Sequence, residues 1–313
     1  MQHRDPHDQH HGHQHAGHEH AGHQHAGHEH AGHEHAGHEH AGHRHDGERP
    51  FEGPEEVARV IADGEIALDY VREVVGLLPG PVGRVLDVGS GPGVATLELA
   101  RLLPDASVLA LDSSASMIEA LRGRAAADGL VDRVEARQAE IPEGLADLTG
   151  VDLVWASMSL HHVGDEVAAL RAIRETLSEH GVVAILEFGD QRQVVPPGDA
   201  ALGQRIEDAY RRFFDEQSQH WHGDTPSAEL SAMVERAGLA VLSDHVSVIT
   251  HQPPLDDAQR RYVTGSLLRA RQQLDGLLPT DDLEQIARLA ADEGRPDGPV
   301  VVSRRILLAH RAR

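Results

Sequence analysis

Residues 84–93 read RVLDVGSGPG, an apolar segment that runs directly into a glycine-rich turn. The apolar part, 84–88, is typical of a short buried strand, and 94–103 has the spacing of a helix. A strand, a glycine-rich turn and a helix in this order bring the backbone close to a nucleotide-like ligand. Glycine suits the turn because it adopts positive φ and has no Cβ atom to block the ligand. The motif is weak by itself, so the rest of the chain has to support it.

The segments around this turn alternate between short apolar runs and helical stretches. We expect one helix over 55–78, ended by Pro79-Gly80-Pro81, and further helices over 115–128 and 166–177. A helix-rich insertion is expected over 256–293. Together with 84–88, the expected strands are 107–111, 133–137, 151–156, 182–187, 239–250 and 300–310. This alternation predicts an α/β fold with a doubly wound, mostly parallel, seven-stranded sheet.

Asp112 ends the second strand, about 20 residues beyond the glycine turn. A carboxylate at this position is well placed to accept hydrogen bonds from the two hydroxyls of a ribose. The alternative is that Asp112 caps the N-terminus of the next helix.

Three segments in the same order and spacing resemble class I S-adenosylmethionine (SAM)-dependent methyltransferases, in the small-molecule group with a methyltransferase type 11 core. The segments are VLDVGSGPG at 85–93, LDSSASM at 111–117, and VDLV at 151–154 followed by LHHV at 160–163. The resemblance covers 55–190 strongly and 190–313 loosely. It implies the Rossmann-like methyltransferase fold with an antiparallel pair of late strands, and SAM as the cofactor.

The resemblance also implies the cofactor contacts. Asp87, Gly89 and Gly91 would line the methionine end of SAM, Asp112 would hold the ribose, and Met117 would pack on the adenine. Two residues at the adenine end depart from the commoner family pattern: a glutamate replaces aspartate, and a bulky isoleucine follows it. The complete predicted set is Asp87, Gly89, Ser90, Gly91, Gly93, Asp112, Ser113, Met117, Glu140, Ile141 and Ser157.

The acceptor side has two predicted components. His161 and His162 follow the fourth strand and are candidate catalytic bases, which methyl transfer needs only if the acceptor is a protonated hydroxyl, amine or carbon acid. A structural role is the alternative. The segment 190–225 holds four of the nine aromatic residues and is expected to wall the acceptor pocket. The alternative for these rings is a lid helix packed on the body. They are Tyr210, Phe213, Phe214 and Trp221, with His220 and His222 beside the tryptophan.

Composition limits the functional classes. The net charge of −23 argues against nucleic acid as the main partner. The absence of cysteine removes disulfides, thiolate metal sites and the thiolates that arsenite methylation uses. A dinucleotide cofactor is disfavoured, since Val94 stands at the sixth position counted from Gly89, where G-x-G-x-x-G/A requires a small residue.

A small organic acceptor remains, with an oxygen, nitrogen or carbon nucleophile. The alternative to an enzyme is a non-catalytic methyltransferase-like scaffold for a metal-buffering or metal-sensing tail. No apolar run approaches the roughly 20 residues that span a bilayer, and no apolar signal region stands at the N-terminus. We therefore expect no membrane association and a cytoplasmic location.

Residues 1–49 differ in composition from the rest and hold 18 of the 26 histidines. They have little apolar area to bury, so we expect a disordered tail separate from a domain over 50–313, whose acceptor-site insertions lie at about 190–235 and 254–298. The repeat H-x-H-A-G puts both imidazoles of a pair on one side of an extended chain, which suits nickel, zinc, cobalt or copper. A soluble spacer with incidental metal affinity is the alternative. The predicted metal ligands are His13, His15, His18, His20, His23, His25, His28, His30, His33, His35, His38, His40, His43 and His45.

Overall fold

The computed structural model describes residues 52–193, 200–218, 227–292, 294 and 296–312. They lie within the compact unit Gly47–Arg313. The strands are β1 Arg84–Val88, β2 Ser107–Asp112, β3 Val134–Gln138, β4 Val151–Ser157, β5 Leu177–Gln193, β6 Leu239–His251 and β7 Val300–Arg311. The helices are α1 Pro54–Glu65, α2 Leu68–Leu77, α3 Val94–Leu102, α4 Ala115–Ala127, α5 Glu166–Thr176, α6 Ala200–Ser218, α7 Ser227–Arg236, α8 Asp257–Gln273 and α9 Thr280–Ala291.

The seven strands form one sheet in the order β3-β2-β1-β4-β5-β7-β6. Neighbours from β3 to β5 are parallel, and β7 runs antiparallel to both β5 and β6. The predicted seven-stranded α/β fold is confirmed, and its sheet is mixed. The strand order reverses between β1 and β4, which opens a crevice at their carboxyl ends where ligands bind in such sheets.

Helices cover both faces of the sheet, as the nearly continuous burial of β1 and β4 requires. One face of the sheet, represented by Val85 and Leu153, packs against helices that include α2, α3 and α8. The opposite face, represented by Leu86 and Val154, packs against α5 and α7. None of the helices in the described part of the chain is long and apolar enough to cross a lipid bilayer.

The helix expected over 55–78 is wrong as a single element, because the chain forms α1 and α2 with a turn at Ile66 and Ala67. Close packing of α1 on α3 accompanies the break. A Cβ atom at Gly64 would lie 2.8 Å from Cβ of Val94, so a larger residue here would force the two helices or the Val94 side chain to shift.

The strand expected over 182–187 is longer than the apolar run that predicts it. The β5 strand extends to Gln193 because its antiparallel ladder with β7 continues after the parallel partner β4 ends. Within this ladder, Glu187 lies opposite Arg305 and Phe188 lies opposite Arg304.

Polar contacts hold α1 over the carboxyl edge of the sheet. Asp63 of α1 accepts hydrogen bonds from Arg59 of the same helix at 2.8 Å and from Arg269 of α8 at 3.0 Å. Ahead of α1, the Glu52 carboxylate accepts from the backbone N–H groups of Ala115 and Ser116, at the positive N-terminus of α4. The start of the domain is thereby tied to the end of β2.

Candidate active site

A cavity of about 760 Å³ opens at the carboxyl ends of β1, β2 and β4, where the strand order reverses. The glycine turn after β1 lines one side. Residues of α1 and α8, among them Val60 and Tyr262, line the other. The cavity occupies the crevice that the topology predicts for a ligand.

The glycine turn is fixed by backbone hydrogen bonds to the neighbouring strand. The N–H groups of Gly89 and Ser90 both donate to the carbonyl of Leu111, at 2.8 and 2.9 Å. Gly89 has φ +71°, and a Cβ atom there would lie 2.4 Å from Cβ of Ser159. Ser159 in turn donates from Oγ to the Val88 carbonyl at 2.8 Å. Glycine is required here because the segment after β4 closes directly onto the turn.

Asp112 is held in a fixed orientation at the cavity wall. Its Oδ2 accepts from the Gly91 N–H at 2.7 Å, and its Oδ1 accepts from the Ser114 N–H at 2.9 Å. Burial raises the pKa of Asp112, with the nearby charges of Glu52 and Glu140 adding to it, while the two backbone donors oppose the shift. Each carboxylate oxygen retains a further acceptor site for a ligand hydroxyl. Ser114, rather than Asp112, is the N-cap of α4.

Asp87 lies almost fully buried at the end of β1, with 2% of its surface exposed. Its Oδ2 accepts a hydrogen bond from Oγ1 of Thr96 at 2.6 Å. Burial raises the pKa of Asp87 to about 7, and the Asp112 carboxylate contributes a smaller rise in the same direction. A positively charged ligand beside Asp87 would favour its ionised form.

The structure brings all but one of the predicted cofactor residues to this cavity. The predicted residues on its wall are Asp87, Gly89, Ser90, Gly91, Asp112, Ser113, Met117, Glu140, Ile141 and Ser157. Gly93 lies outside the wall, at the N-cap of α3. It has φ +79°, and a Cβ atom there would lie 2.0 Å from Cδ1 of Leu121. Helix packing therefore accounts for this glycine.

Both predicted bases line the cavity, in different environments. His161 has its Nδ1 2.7 Å from Oε2 of Glu187 on β5. The His162 ring lies 4.0 Å from the His161 ring, centroid to centroid. Burial, with smaller contributions from His161 and Arg59, lowers the pKa of His162 to about 4. His162 is therefore neutral at pH 7, and His161 is in contact with the Glu187 carboxylate.

The structure describes only part of the segment 190–225 that was expected to form an aromatic wall. Phe213 of α6 lines the cavity. Tyr210 instead packs on the core and donates from its hydroxyl to Oε1 of Gln273 at 3.2 Å. The side chain of Phe214 lies outside what the structure describes, and so do His220, Trp221 and His222.

Several residues in the cavity wall or next to it were missed by the sequence analysis. Glu187 and Phe188 directly follow the apolar core of β5, and this is the same signal that identified Asp112. No comparable signal exists for Arg304, which reaches the site by its antiparallel register and lies with its guanidinium 5.6 Å from the Phe188 ring centroid. Trp155 of β4 also lines the cavity. Its buried Nε1 donor has no hydrogen-bond partner in the described part of the chain.

Within the residues that the structure describes, no group of three or more His, Asp or Glu side chains could hold a metal ion. The fourteen metal ligands predicted between His13 and His45 lie outside the described residues.

A family described as a methyltransferase domain matches residues 85–181. This match agrees with the predicted resemblance to class I SAM-dependent methyltransferases. The matched region includes the glycine turn, Asp112 and both histidines of the cavity.

Curated relatives match part of the chain. Trans-aconitate 2-methyltransferase of Rhodopseudomonas palustris is 31% identical over 36% of this chain and 42% of its own length. A ubiquinone/menaquinone biosynthesis C-methyltransferase of Geotalea daltonii is 32% identical over 37% of this chain and 49% of its own length. A ubiquinone biosynthesis O-methyltransferase of Xanthomonas axonopodis pv. citri is 29% identical over 60% of this chain and 75% of its own length. The chain spans about a quarter to a half of the length of the first three curated relatives that it matches.

The chain is also similar to solved structures at low sequence identity. A candidate methyltransferase from Bacillus halodurans superposes with a TM-score of 0.50 at 18% identity, covering 79% of this chain and 99% of its own. A SAM-dependent methyltransferase from Thiobacillus denitrificans, solved with S-adenosyl-L-homocysteine, gives a TM-score of 0.46 at 19% identity and covers 78% and 91% of the two chains.

Proposed function

We propose that the protein transfers a methyl group from SAM to a small organic acceptor. The observation that carries the proposal is the hydrogen-bonded unit of glycine turn and Asp112, set beside the buried carboxyl of Asp87 in one cavity. The names of the relatives refer to trans-aconitate and to ubiquinone or menaquinone biosynthesis, which supports a small acceptor.

The proposed binding mode follows the charges and shapes of the wall. Asp87 would face the cationic methionine part of SAM, whose sulfonium and ammonium favour a carboxylate. Asp112 would accept from the ribose hydroxyls through its remaining lone pairs. The adenine would lie between Met117 and the segment of Glu140 and Ile141.

Bound SAM supplies an already activated methyl group, so the protein's main task is to place the acceptor in line with it. Helices α1 and α8 support this role by covering the cavity opposite the glycine turn. Exclusion of water from a covered cavity also strengthens every electrostatic contact inside it.

Calorimetry with SAM and with S-adenosylhomocysteine tests the proposal. We expect both to bind, and absence of binding by either at millimolar concentration would contradict the proposed function. Gly91→Val should weaken binding severely, because a β-branched residue does not tolerate the φ of +53° at this position. Gly123→Ala is the matched control, since a Cβ atom there meets nothing within 4 Å.

A mass-spectrometric screen of diverse acceptors then tests turnover. A methylated product, with S-adenosylhomocysteine formed in equal amount, supports an enzyme. Binding of SAM without any product, with or without added metal, favours the non-catalytic scaffold instead.

We propose separately that residues 1–49 bind divalent transition metal through the H-x-H pairs. The repeat of imidazole pairs supports this assignment, and neutral imidazole is the ligating form, so binding should weaken as the pH falls through about 6. Deletion of residues 1–49 should remove most bound Ni²⁺ or Zn²⁺, measured by equilibrium dialysis, and leave SAM affinity unchanged. A metal effect on the methylation rate that is seen only in the full chain would show that the two functions are coupled.

A further inference from the structure

Glu187 and His161 form a hydrogen-bonded pair at the edge of the cavity. Oε2 of Glu187 lies 2.7 Å from Nδ1 of His161, and the two side chains are only 17% and 13% exposed. His161 lines the cavity, whereas Glu187 is not among the lining residues. The carboxylate therefore contacts the imidazole from outside the set of residues that form the cavity wall.

This placement selects a tautomer of His161. A carboxylate that contacts Nδ1 accepts the Nδ1–H, so Nε2 keeps a free lone pair for a proton. The second oxygen of Glu187, Oε1, is buried and has no hydrogen-bond partner among the described residues. His161 is thus the described hydrogen-bond partner of this carboxylate.

Other titratable and charged groups lie near the Glu187–His161 pair. His162 is neutral at pH 7 because burial lowers its pKa to about 4. Arg59 from α1 and Arg304 from β7 line the same cavity. Arg305, opposite Glu187 in the β5–β7 register, binds Asp244 with its guanidinium at 2.7 Å. Within the described residues, Glu187 is the carboxylate in direct hydrogen-bond contact with His161.

A fixed base is useful to methyl transfer only if the nucleophile must lose a proton. A carboxylate or a tertiary amine accepts a methyl group with no proton to lose. A hydroxyl forms its O–CH₃ bond while the S–CH₃ bond breaks with its electron pair on sulfur, and its proton must go elsewhere. An imidazole, with a reference pKa of about 6.5, is far better matched to a phenol near 10 than to an aliphatic alcohol. Phe188, Phe213 and Tyr262 give the cavity an aromatic lining that suits a flat acceptor.

We propose that His161, positioned by Glu187, is the general base of an O-methyl transfer whose acceptor is a phenol or an enol. Nε2 takes the hydroxyl proton as the methyl group is transferred, and the proton passes to solvent after the products leave. The proposal rests on the proposed function and deepens it by naming the acceptor class. His161 is the catalytic residue in this scheme and Glu187 is its positioning residue.

The tautomer of His161 tests the Glu187–His161 pair, and it can be measured without a methyl acceptor. In the full chain labelled with ¹⁵N-histidine, the His161 signals are identified by their loss in His161→Gln. We expect His161 protonated on Nδ1 and free on Nε2 at pH 8. Protonation on Nε2 with a bare Nδ1 would overturn the proposal, since Glu187 would then be the donor.

Turnover tests the acceptor class, with 4-hydroxycinnamate and 4-methoxycinnamate as probes. Both carry a carboxylate, but only the first has a phenol. We expect mass spectrometry to place the methyl group on the phenol oxygen of the first and to find no product from the second. Methylation of the carboxylate of either, or of a ring carbon, would overturn the proposal. Failure of SAM to bind in calorimetry would instead contradict the proposed function itself.

Variants of His161 and Glu187 distinguish a catalytic base and its positioning residue from residues with a purely structural role. We expect His161→Gln to lower kcat by about 10²- to 10⁴-fold and Glu187→Gln by a smaller factor, with SAM affinity unchanged in calorimetry. A nitrophenol, which is a much stronger acid, should recover most of the loss because it ionises without a base. An equal loss for acidic and ordinary phenols would overturn the proposal. His180→Gln and Glu179→Gln, both exposed and outside the cavity wall, are the matched controls.

Discussion

The backbone N–H of Gly91 donates to Oδ2 of Asp112 over 2.7 Å, so the glycine turn after β1 and the acidic end of β2 form one hydrogen-bonded unit. The other oxygen of the same carboxylate holds the Ser114 N–H at the start of α4. Two loops that approach the ligand from different strands are therefore set by a single side chain. This coupling has measurable consequences for affinity and stability.

Asp112→Asn replaces one of the two carboxylate oxygens with an amide NH₂ group. Either the Gly91 N–H or the Ser114 N–H then loses its acceptor. We expect the free energy of unfolding to fall by about 1–3 kcal/mol, since a buried N–H loses its partner. SAM affinity should fall by about 10- to 100-fold, because charge-assisted hydrogen bonds contribute about 1.5–3 kcal/mol each. Chemical denaturation and calorimetry measure the two effects. Asp105→Asn, at an exposed position, is the control and should change neither.

SAM binding should strengthen as the pH rises from 6 to 8. The pKa of Asp87 is raised to about 7 in the empty site, and a cationic ligand prefers the ionised carboxylate. Below pH 7 binding must therefore displace a proton, and above it the affinity should level off. Calorimetry in buffers of different ionisation enthalpy measures the released proton. A pH-independent affinity, or the same pH dependence in Asp87→Asn, would contradict this role of Asp87.

The same carboxyl should make the ligand-free protein less stable as the pH rises from about 4 to 7. Folded Asp87 keeps its proton up to about pH 7, whereas the unfolded chain releases it near 3.8, so the folded state binds more protons in this window. The difference corresponds to about 4 kcal/mol at most. Asp87→Asn can still accept from Thr96 and should melt higher than the wild type at pH 8. This gap should close towards pH 4, and a gap that is constant with pH would contradict the assignment.

Gly64→Ala should destabilise the domain by about 1–3 kcal/mol, because the new Cβ atom would lie 2.8 Å from Cβ of Val94. Gly123→Ala adds the same methyl group to α4, where it meets nothing within 4 Å, and should stabilise by about 0.5–1 kcal/mol. Thermal melting of the pair at one pH measures both changes. Equal shifts for both variants would show that the contact between α1 and α3 can yield.

Asp63→Asn should weaken the contact between α1 and α8 over the cavity, while it should change the stability of the fold only slightly. Asp63 forms ion pairs with Arg59 and Arg269, and the three side chains are 23–31% exposed. Because solvent screens ion pairs at this exposure, their contribution to stability is at most about 1 kcal/mol. We expect S-adenosylhomocysteine to dissociate faster in stopped-flow experiments, with little change in melting temperature. Asp69→Asn, whose partner Arg72 lies away from the cavity wall, provides the comparison.

The sequence predicts best those features that depend on local contacts. The predicted bounds of β1, 84–88, agree with the observed strand Arg84–Val88. The apolar run and the glycine turn that follows it mark the strand within its own sequence. Asp112 and the two histidines lie together in the cavity wall because the carboxyl ends of parallel strands meet at one edge. Gly93 shares the signature of its neighbours in the turn, yet only the position of Leu121 reveals its packing role.

Features that depend on distant partners were not accessible. The break between α1 and α2 accompanies a contact between Gly64 and Val94, which belong to different helices. The length of β5 depends on β7, more than 100 residues later in the chain. Arg304 enters the cavity through the antiparallel register of that last pairing. No periodicity in its own segment distinguishes it from any other arginine.

The strand order β5-β7-β6 also determines when the sheet can be completed during synthesis. The ribosome makes β6 before β7, although β7 lies between β6 and the rest of the sheet. Until Val300–Arg311 has emerged, β5 is an unprotected edge and β6 has no partner among the described strands. Such edges pair readily with other chains. A nascent chain arrested before Val300 therefore carries the complete glycine turn and Asp112, but it presents an open sheet edge that would favour aggregation or chaperone capture.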